Sequence, residues 1–217
     1  MQFIDSLSVK HIIRKPSKLT EKPPLFLMIH GYGSHENDLF AIARELPPNF
    51  FVVSLRGFYS IGPNSFSWYN IQMSAEGISS DINQALISRD KIISFIKEVL
   101  VHYRLDEKNV WLCGFSQGAI LSYAIALSKP QEVHKVIALS GFPYQELLPE
   151  NIDNDFSSLD FFISHGIHDE IIPINWAKKG PGLLEKHHIC HTYKEYEEGH
   201  ELNESNYKDM LEWIANR

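Results

Sequence analysis

Ser116, Asp169 and His200 are the residues whose types and spacing could perform chemistry together. An alcohol is a weak nucleophile near neutral pH. It becomes useful when an imidazole takes its proton and a carboxylate orients the imidazole. The chain has eleven histidines and twenty-seven acidic residues, so composition selects none of them. Local context selects the serine first. It stands in Gly114-Phe115-Ser116-Gln117-Gly118, after the apolar run Val110-Trp111-Leu112-Cys113 and before the apolar Ala119-Ile120-Leu121. A strand reversing sharply into a helix at G-x-S-x-G pushes the hydroxyl out of the turn, with free helix N–H groups beside it.

Asp169 and His200 follow in the chain order Ser, Asp, His that this strand-turn-helix arrangement requires. Asp169 comes just after the apolar run ending in His165-Gly166, and His200 just after the run ending at Tyr196. Functional groups of parallel α/β sheets gather beyond the carboxyl ends of strands, where both fall. Glu170 is a rival for the acid. His165 and His168 break the expected order, and Asp153, Asp155 and Asp160 read as surface or strand-edge groups. Glu197 and Glu198 read as a solvated turn, and His30, which precedes the serine, as structural. Developing negative charge on an acyl oxygen needs donors. The N–H of Gln117 is one candidate and that of Tyr32, in His30-Gly31-Tyr32-Gly33, the other, with Gly31 and Gly33 as alternatives.

The elements that must position these residues alternate between short apolar strands and helices. Strands are expected at 25–29, 50–55, 110–113, 136–141, 159–166 and 189–196, with a further strand or hairpin within 3–14. Helices are expected over 39–46, 79–103 (capped by Ser80-Asp81), 175–186 with a break at Gly180-Pro181-Gly182, and 201–216. Residues 56–77 and 143–158 read as irregular segments. Alternation without a repeat or linker implies one α/β domain over 1–217, with a mostly parallel central sheet and helices on both faces.

Bulk composition narrows the function classes. With 217 residues, 44% hydrophobic and 22% charged, the chain suits an ordinary globular protein. A net charge of −7 argues against nucleic acid or anionic membrane as the main partner. No export signal or transmembrane segment is evident, and the two cysteines suggest reduced thiols, with Cys113 a small core residue; a cytoplasmic location is expected. His187, His188, Cys190 and His191 lack a recognised ligand spacing, so neither metal nor cofactor is expected.

The stretches Met28-Ile29-His30-Gly31-Tyr32-Gly33 with Glu36-Asn37-Asp38-Leu39, Leu55-Arg56-Gly57 with Trp68-Tyr69, Gly114 to Gly118, Ser164-His165-Gly166 with Asp169 and Pro173, and Gly199-His200-Glu201 form one ordered set. As a set they resemble the phospholipase/carboxylesterase family of small serine hydrolases, related to acyl-protein thioesterases. The resemblance implies an α/β-hydrolase without a large cap, acting on carboxylic esters or thioesters, and supports Ser116, Asp169 and His200 as its triad. Two stretches depart from the family pattern: Gly57 to Tyr69, with fewer glycines and altered aromatics, and the acidic Tyr144 to Ser158. Phe58, Trp68, Tyr69, Ile71, Met73 and Phe142 either line an apolar substrate pocket or form a local core that anchors their loops. An amide or peptide hydrolase, and a binding module without catalysis, are the alternative functions. Oligomeric state is not legible.

Overall fold

A computed structural model describes residues 7–18, 20–74, 77–150 and 155–217, apart from the side chains of 73, 74, 77 and 78. In chain order the strands are β1 His11–Arg14, β2 Pro24–Ile29, β3 Phe51–Leu55, β4 Tyr59–Gly62, β5 Ser65–Ser67, β6 Ile71–Ser74, β7 Gly77–Ser80, β8 Asp106–Phe115, β9 Lys135–Leu139, β10 Asp160–Gly166 and β11 Cys190–Tyr196. The α-helices are α1 Asn37–Phe40, α2 Ile82–Tyr103, α3 Gln117–Ser128, α4 Ile174–Ala177, α5 Lys179–Lys186 and α6 Glu204–Ala215.

The central sheet has the order β1-β3-β2-β8-β9-β10-β11 among the described residues, parallel except for β1. Its apolar runs are buried on both faces. Along β2, Leu25, Leu27 and Ile29 join one core cluster, while Phe26 and Met28 join the other. Such double burial is why these strands read as continuous apolar runs. Helices α2, α3 and α5 contribute to the first cluster, and α1 and α6 to the second. From β2 the chain runs to β3 on one side, and β8 flanks β2 on the other. Strand order therefore reverses between β2 and β8, which opens a crevice at their carboxyl ends.

Helix α6 is docked by aromatic contacts. Trp213 lies 5.8 Å from Trp111 of β8 and 5.8 Å from Phe162 of β10, centroid to centroid, and Trp111 in turn meets Phe50 at 5.1 Å. Each such pair adds roughly 0.5–1.5 kcal/mol beyond the area it buries. The contacts matter for chemistry because the turn entering α6 carries His200.

Several elements differ from expectation. The segment 56–77 is not irregular: β4 pairs with β5, and β6 with β7, both antiparallel. The turn signal was Gly62-Pro63-Asn64, with Asn64 at φ 51°, a conformation asparagine tolerates. Helix α2 starts later than expected because Ser79 and Ser80 belong to β7. Asp81 alone caps it, accepting from the Gln84 N–H at 3.0 Å. The break in the late helix falls at Lys178, not at Gly180-Pro181-Gly182, which instead lie in the first turn of α5, where proline costs no hydrogen bond. The 143–158 segment is more than a surface loop, since Leu147, Leu148 and Phe156 are buried in the core; residues 151–154, with Asp153, lie outside the described residues. Residues 3–6 of the expected first strand also lie outside them. Cys113 is fully buried, and desolvation pushes its thiol up to about 12, whereas Cys190 is exposed.

Two glycines separate close approach from open space. A Cβ on Gly118 would sit 1.9 Å from the Ile29 carbonyl oxygen, whereas one on Gly182 meets nothing within 4 Å. Gly118→Ala is expected to cost more than about 3 kcal/mol in urea unfolding, because backbone must move. Gly182→Ala should gain roughly 0.5–1 kcal/mol from helix propensity.

Candidate active site

Ser116 follows the last residue of β8 and holds the N-cap position of α3 with φ 53° and ψ −116°. Such a conformation costs a non-glycine residue on the order of 1–3 kcal/mol, so its surroundings must enforce it. They do so from two sides. The Ser116 N–H donates to the Leu139 carbonyl of β9 at 2.9 Å, and its own carbonyl accepts from Ile120 at 3.0 Å. Gly118 lets α3 press against the end of β2, so the turn cannot relax outward.

His200 meets this hydroxyl. Its Nε2 is 2.9 Å from Ser116 Oγ, and its Nδ1 is 2.6 Å from Asp169 Oδ2. An ionised carboxylate only accepts, so Nδ1 carries the proton and the bare Nε2 accepts from the hydroxyl. The other oxygen of Asp169, Oδ1, accepts the N–H groups of Ile171 at 2.9 Å and Ile172 at 2.8 Å. Burial of this side chain works to raise its pKa. The His200 hydrogen bond and the two amides outweigh it, and the carboxyl lies below its ordinary value. The Asp169 side chain is fully buried, while that of His200 is 18% exposed. The ring of Phe115 packs against His200 at 5.0 Å.

The turn bearing His200 is anchored by a residue that sequence reasoning assigned to solvent. Glu198 is buried, and its carboxylate accepts from the Asn203 N–H at 2.5 Å and the Asn206 Nδ2 at 2.6 Å. Asn203 caps α6 through the Asn206 N–H, so Glu198 ties the histidine turn to the helix start, where negative charge is favoured. The turn crosses β10 at Gly166, where a Cβ would lie 2.2 Å from the Gly199 carbonyl oxygen. Glu197 is exposed and pairs with His168 at 2.8 Å, leaving both outside the hydrogen-bonded series. Glu170 is exposed, so it does not replace Asp169.

The loop after β2 lies beside the serine. A Cβ on Gly31 would be 3.4 Å from the Ser116 Cβ. The Gly33 N–H is committed to the Phe66 carbonyl at 2.9 Å, which removes Gly33 from the alternatives for an oxyanion donor. His30 is structural, as its position suggested. Its Nδ1–H donates to the Gly31 carbonyl at 2.7 Å, and its Nε2 accepts the Gly57 N–H at 2.9 Å. Trp68 and Tyr69 are buried anchors. The Gln117 side chain accepts from the Trp68 N–H and donates to the Tyr69 carbonyl, both at 2.8 Å, and the Trp68 indole donates to the His30 carbonyl at 2.8 Å. Phe58 and Ile71 are half-buried against the same core, and the Met73 side chain lies outside those described. Phe142, also half-buried, contacts Tyr144 at 5.6 Å and Trp176 at 5.1 Å.

Comparison with known proteins decides the family. A model of the phospholipase/carboxylesterase family matches residues 11–217. The chain belongs to the phospholipase/carboxylesterase family. It is similar to acyl-protein thioesterase 1 of Kluyveromyces lactis, 27% identical over 94% of this chain and 96% of the relative. A Bacillus cereus carboxylesterase superposes with a TM-score of 0.83 at 23% identity, covering 97% of this chain and 95% of its own. A Mesorhizobium loti carboxylesterase gives 0.83 at 19% identity, covering 100% and 99%. Those superpositions carry the α/β-hydrolase fold.

Within this phospholipase/carboxylesterase chain, the ordered stretches that suggested the family surround one crevice. Glu36 and Arg56 join two of them through bidentate hydrogen bonds, both 2.7 Å, which tie the loop after β2 to the end of β3. Among the described residues, no three His, Cys, Asp or Glu side chains converge as a metal site, and the His191 ring instead hydrogen-bonds the Ile189 carbonyl at 3.0 Å. No helix among them is long and apolar enough to cross a membrane.

Removing the Glu198 carboxylate should strand two donors. Glu198→Ala is expected to cost about 1–3 kcal/mol in chemical unfolding, and Glu198→Gln less, because an amide oxygen still accepts one of the two bonds.

Proposed function

We propose that this enzyme hydrolyses carboxylic esters, and thioesters by the same route, through a covalent acyl-enzyme on Ser116. The observation that carries the reading is the unbroken series Ser116 Oγ, His200 and Asp169, with separations of 2.9 and 2.6 Å. Membership of the phospholipase/carboxylesterase family supports the ester and thioester class.

Ser116 Oγ attacks the acyl carbonyl while His200 Nε2 takes its proton. Asp169 holds the imidazolium and its orientation without taking the proton itself. Charge on the former carbonyl oxygen falls to the backbone N–H groups of Gln117 and Tyr32. The first residue of a helix has no intrahelical partner for its N–H, which suits Gln117 to the task. Each such donor typically contributes about 3 kcal/mol to the transition state. His200 then returns the proton to the departing oxygen or sulfur. Water, deprotonated by the same ring, attacks the acyl-enzyme, and the acid leaves as Ser116 regains its proton. Phe142, with Tyr144 and Trp176 beside it, supplies an apolar surface for part of the substrate; Phe58 and Ile71 are held against the core and lend it support.

Fluorophosphonate labelling is expected at Ser116 in the folded protein, and Ser116→Ala should lose both label and turnover with its unfolding midpoint nearly unchanged. Failure of the native protein to label would point instead to a binding module. Asp169→Asn should lower kcat on the order of 10³–10⁴-fold, since the wrong tautomer of His200 is then favoured. Matched ester, thioester and anilide substrates should be turned over in that falling order; faster anilide cleavage would make the enzyme an amidase.

A further inference from the structure

We propose that His165 is a positioning residue for Asp169, an imidazole that fixes the turn behind the buried carboxylate by holding the Ile172 carbonyl. The proposal rests on the reading of Ser116, His200 and Asp169 as the catalytic series. His165 belongs to β10 and is fully buried. Its Nε2 is 2.8 Å from the Ile172 carbonyl oxygen, to which it is hydrogen-bonded, and 3.3 Å from Asp169 Oδ2, the oxygen bonded to His200.

A carbonyl oxygen only accepts, so Nε2 carries the hydrogen. Nδ1 is buried without a hydrogen-bond partner. Protonating it would create a charged donor with no acceptor in a desolvated place, so the ring stays neutral. Burial, with His200 acting in the same direction, outweighs the Ile172 hydrogen bond and the charges of Asp169 and Glu198, and holds its pKa below the ordinary histidine value. Neutrality is what the site needs. A cation at 165, 3.3 Å from Asp169 Oδ2, would compete with the His200 imidazolium for one carboxylate, whereas a neutral ring leaves that charge available.

The Ile172 peptide is held at both ends, its N–H by Asp169 Oδ1 and its carbonyl by His165. The turn from Asp169 to Ile172 therefore cannot rotate without breaking the His165 bond. Loss of that donor should free the turn and misalign Asp169.

Three proteins test this: wild type, His165→Phe, which keeps a ring and removes the donor, and His165→Gln, whose amide reaches the position of Nε2. His165→Phe is expected to lower kcat on the order of 10–100-fold with KM nearly unchanged. His165→Gln should recover most of that loss. A folded His165→Phe with wild-type kcat overturns the proposal, as does a glutamine variant no better than phenylalanine. Nitrogen-15 imidazole spectra of the wild type give an answer independent of folding of the variants. The Nε2–H tautomer of His165 is expected throughout about pH 5–8, and either the other tautomer or a charged ring overturns the assignment. Fluorophosphonate labelling of the wild type separates the two failures: absence of label defeats the catalytic reading, whereas the tautomer is measured whether or not the enzyme turns over.

Discussion

The backbone reversal at Ser116 is the constraint from which the rest of the site follows. A non-glycine residue at φ 53° would relax if it had room. It has none, because α3 begins against the carboxyl end of β2, at Gly118, and the Ser116 amide is bonded to β9. The strain is thus borne by three adjacent parallel strands, each buried on both faces. The reversal of strand order between β2 and β8 brings the loop of Tyr32 beside the serine without any further device.

Around that turn, polar groups are used with little redundancy. The Gln117 side chain clamps the Trp68-Tyr69 loop, and the Trp68 indole returns to His30. His30 in turn bridges the loop after β2 to Gly57. On the other side of the crevice, Asp169 accepts from two amides and the His200 imidazole, and Glu198 fixes the turn that brings His200. Buried polar groups of this kind are costly unless every member is paired, and when paired they specify one arrangement. The residues surrounding the Ser116 hydroxyl are accordingly more precisely held than a list of three side chains implies.

The sequence revealed the parts of this arrangement that depend on local pattern. The elbow at Ser116 needed two glycines flanking a serine between a strand and a helix, and that is a short-range signal. Double burial made β2, β3, β8, β9 and β10 legible as apolar runs. Asp169 and His200 were reached through chain order and strand ends, and the structure brings both to Ser116. Long-range pairing was not legible. Glu198 follows another glutamate in an acidic turn, and nothing local tells that Asn203 and Asn206 fold back onto it. His165 broke the expected order as a base, yet it touches the same carboxylate. Trp68 and Tyr69 could not be assigned to pocket or core until the partner of their backbone, the Gln117 side chain, was known. The hairpins in 56–80 escaped because strands of three or four residues carry too few positions to display alternation.

The separation of 84 residues between the serine and its imidazole has a consequence for a chain leaving the ribosome. The elbow and its neighbouring strands can assemble while β11 and the turn after it are still unmade. Until that turn reaches Gly166 and α6 settles on Trp111 and Phe162, the Ser116 hydroxyl lacks the imidazole that it meets in the folded chain. The hydrogen-bonded series is therefore completed at the end of folding, and a nascent or partly unravelled molecule holds only its first member.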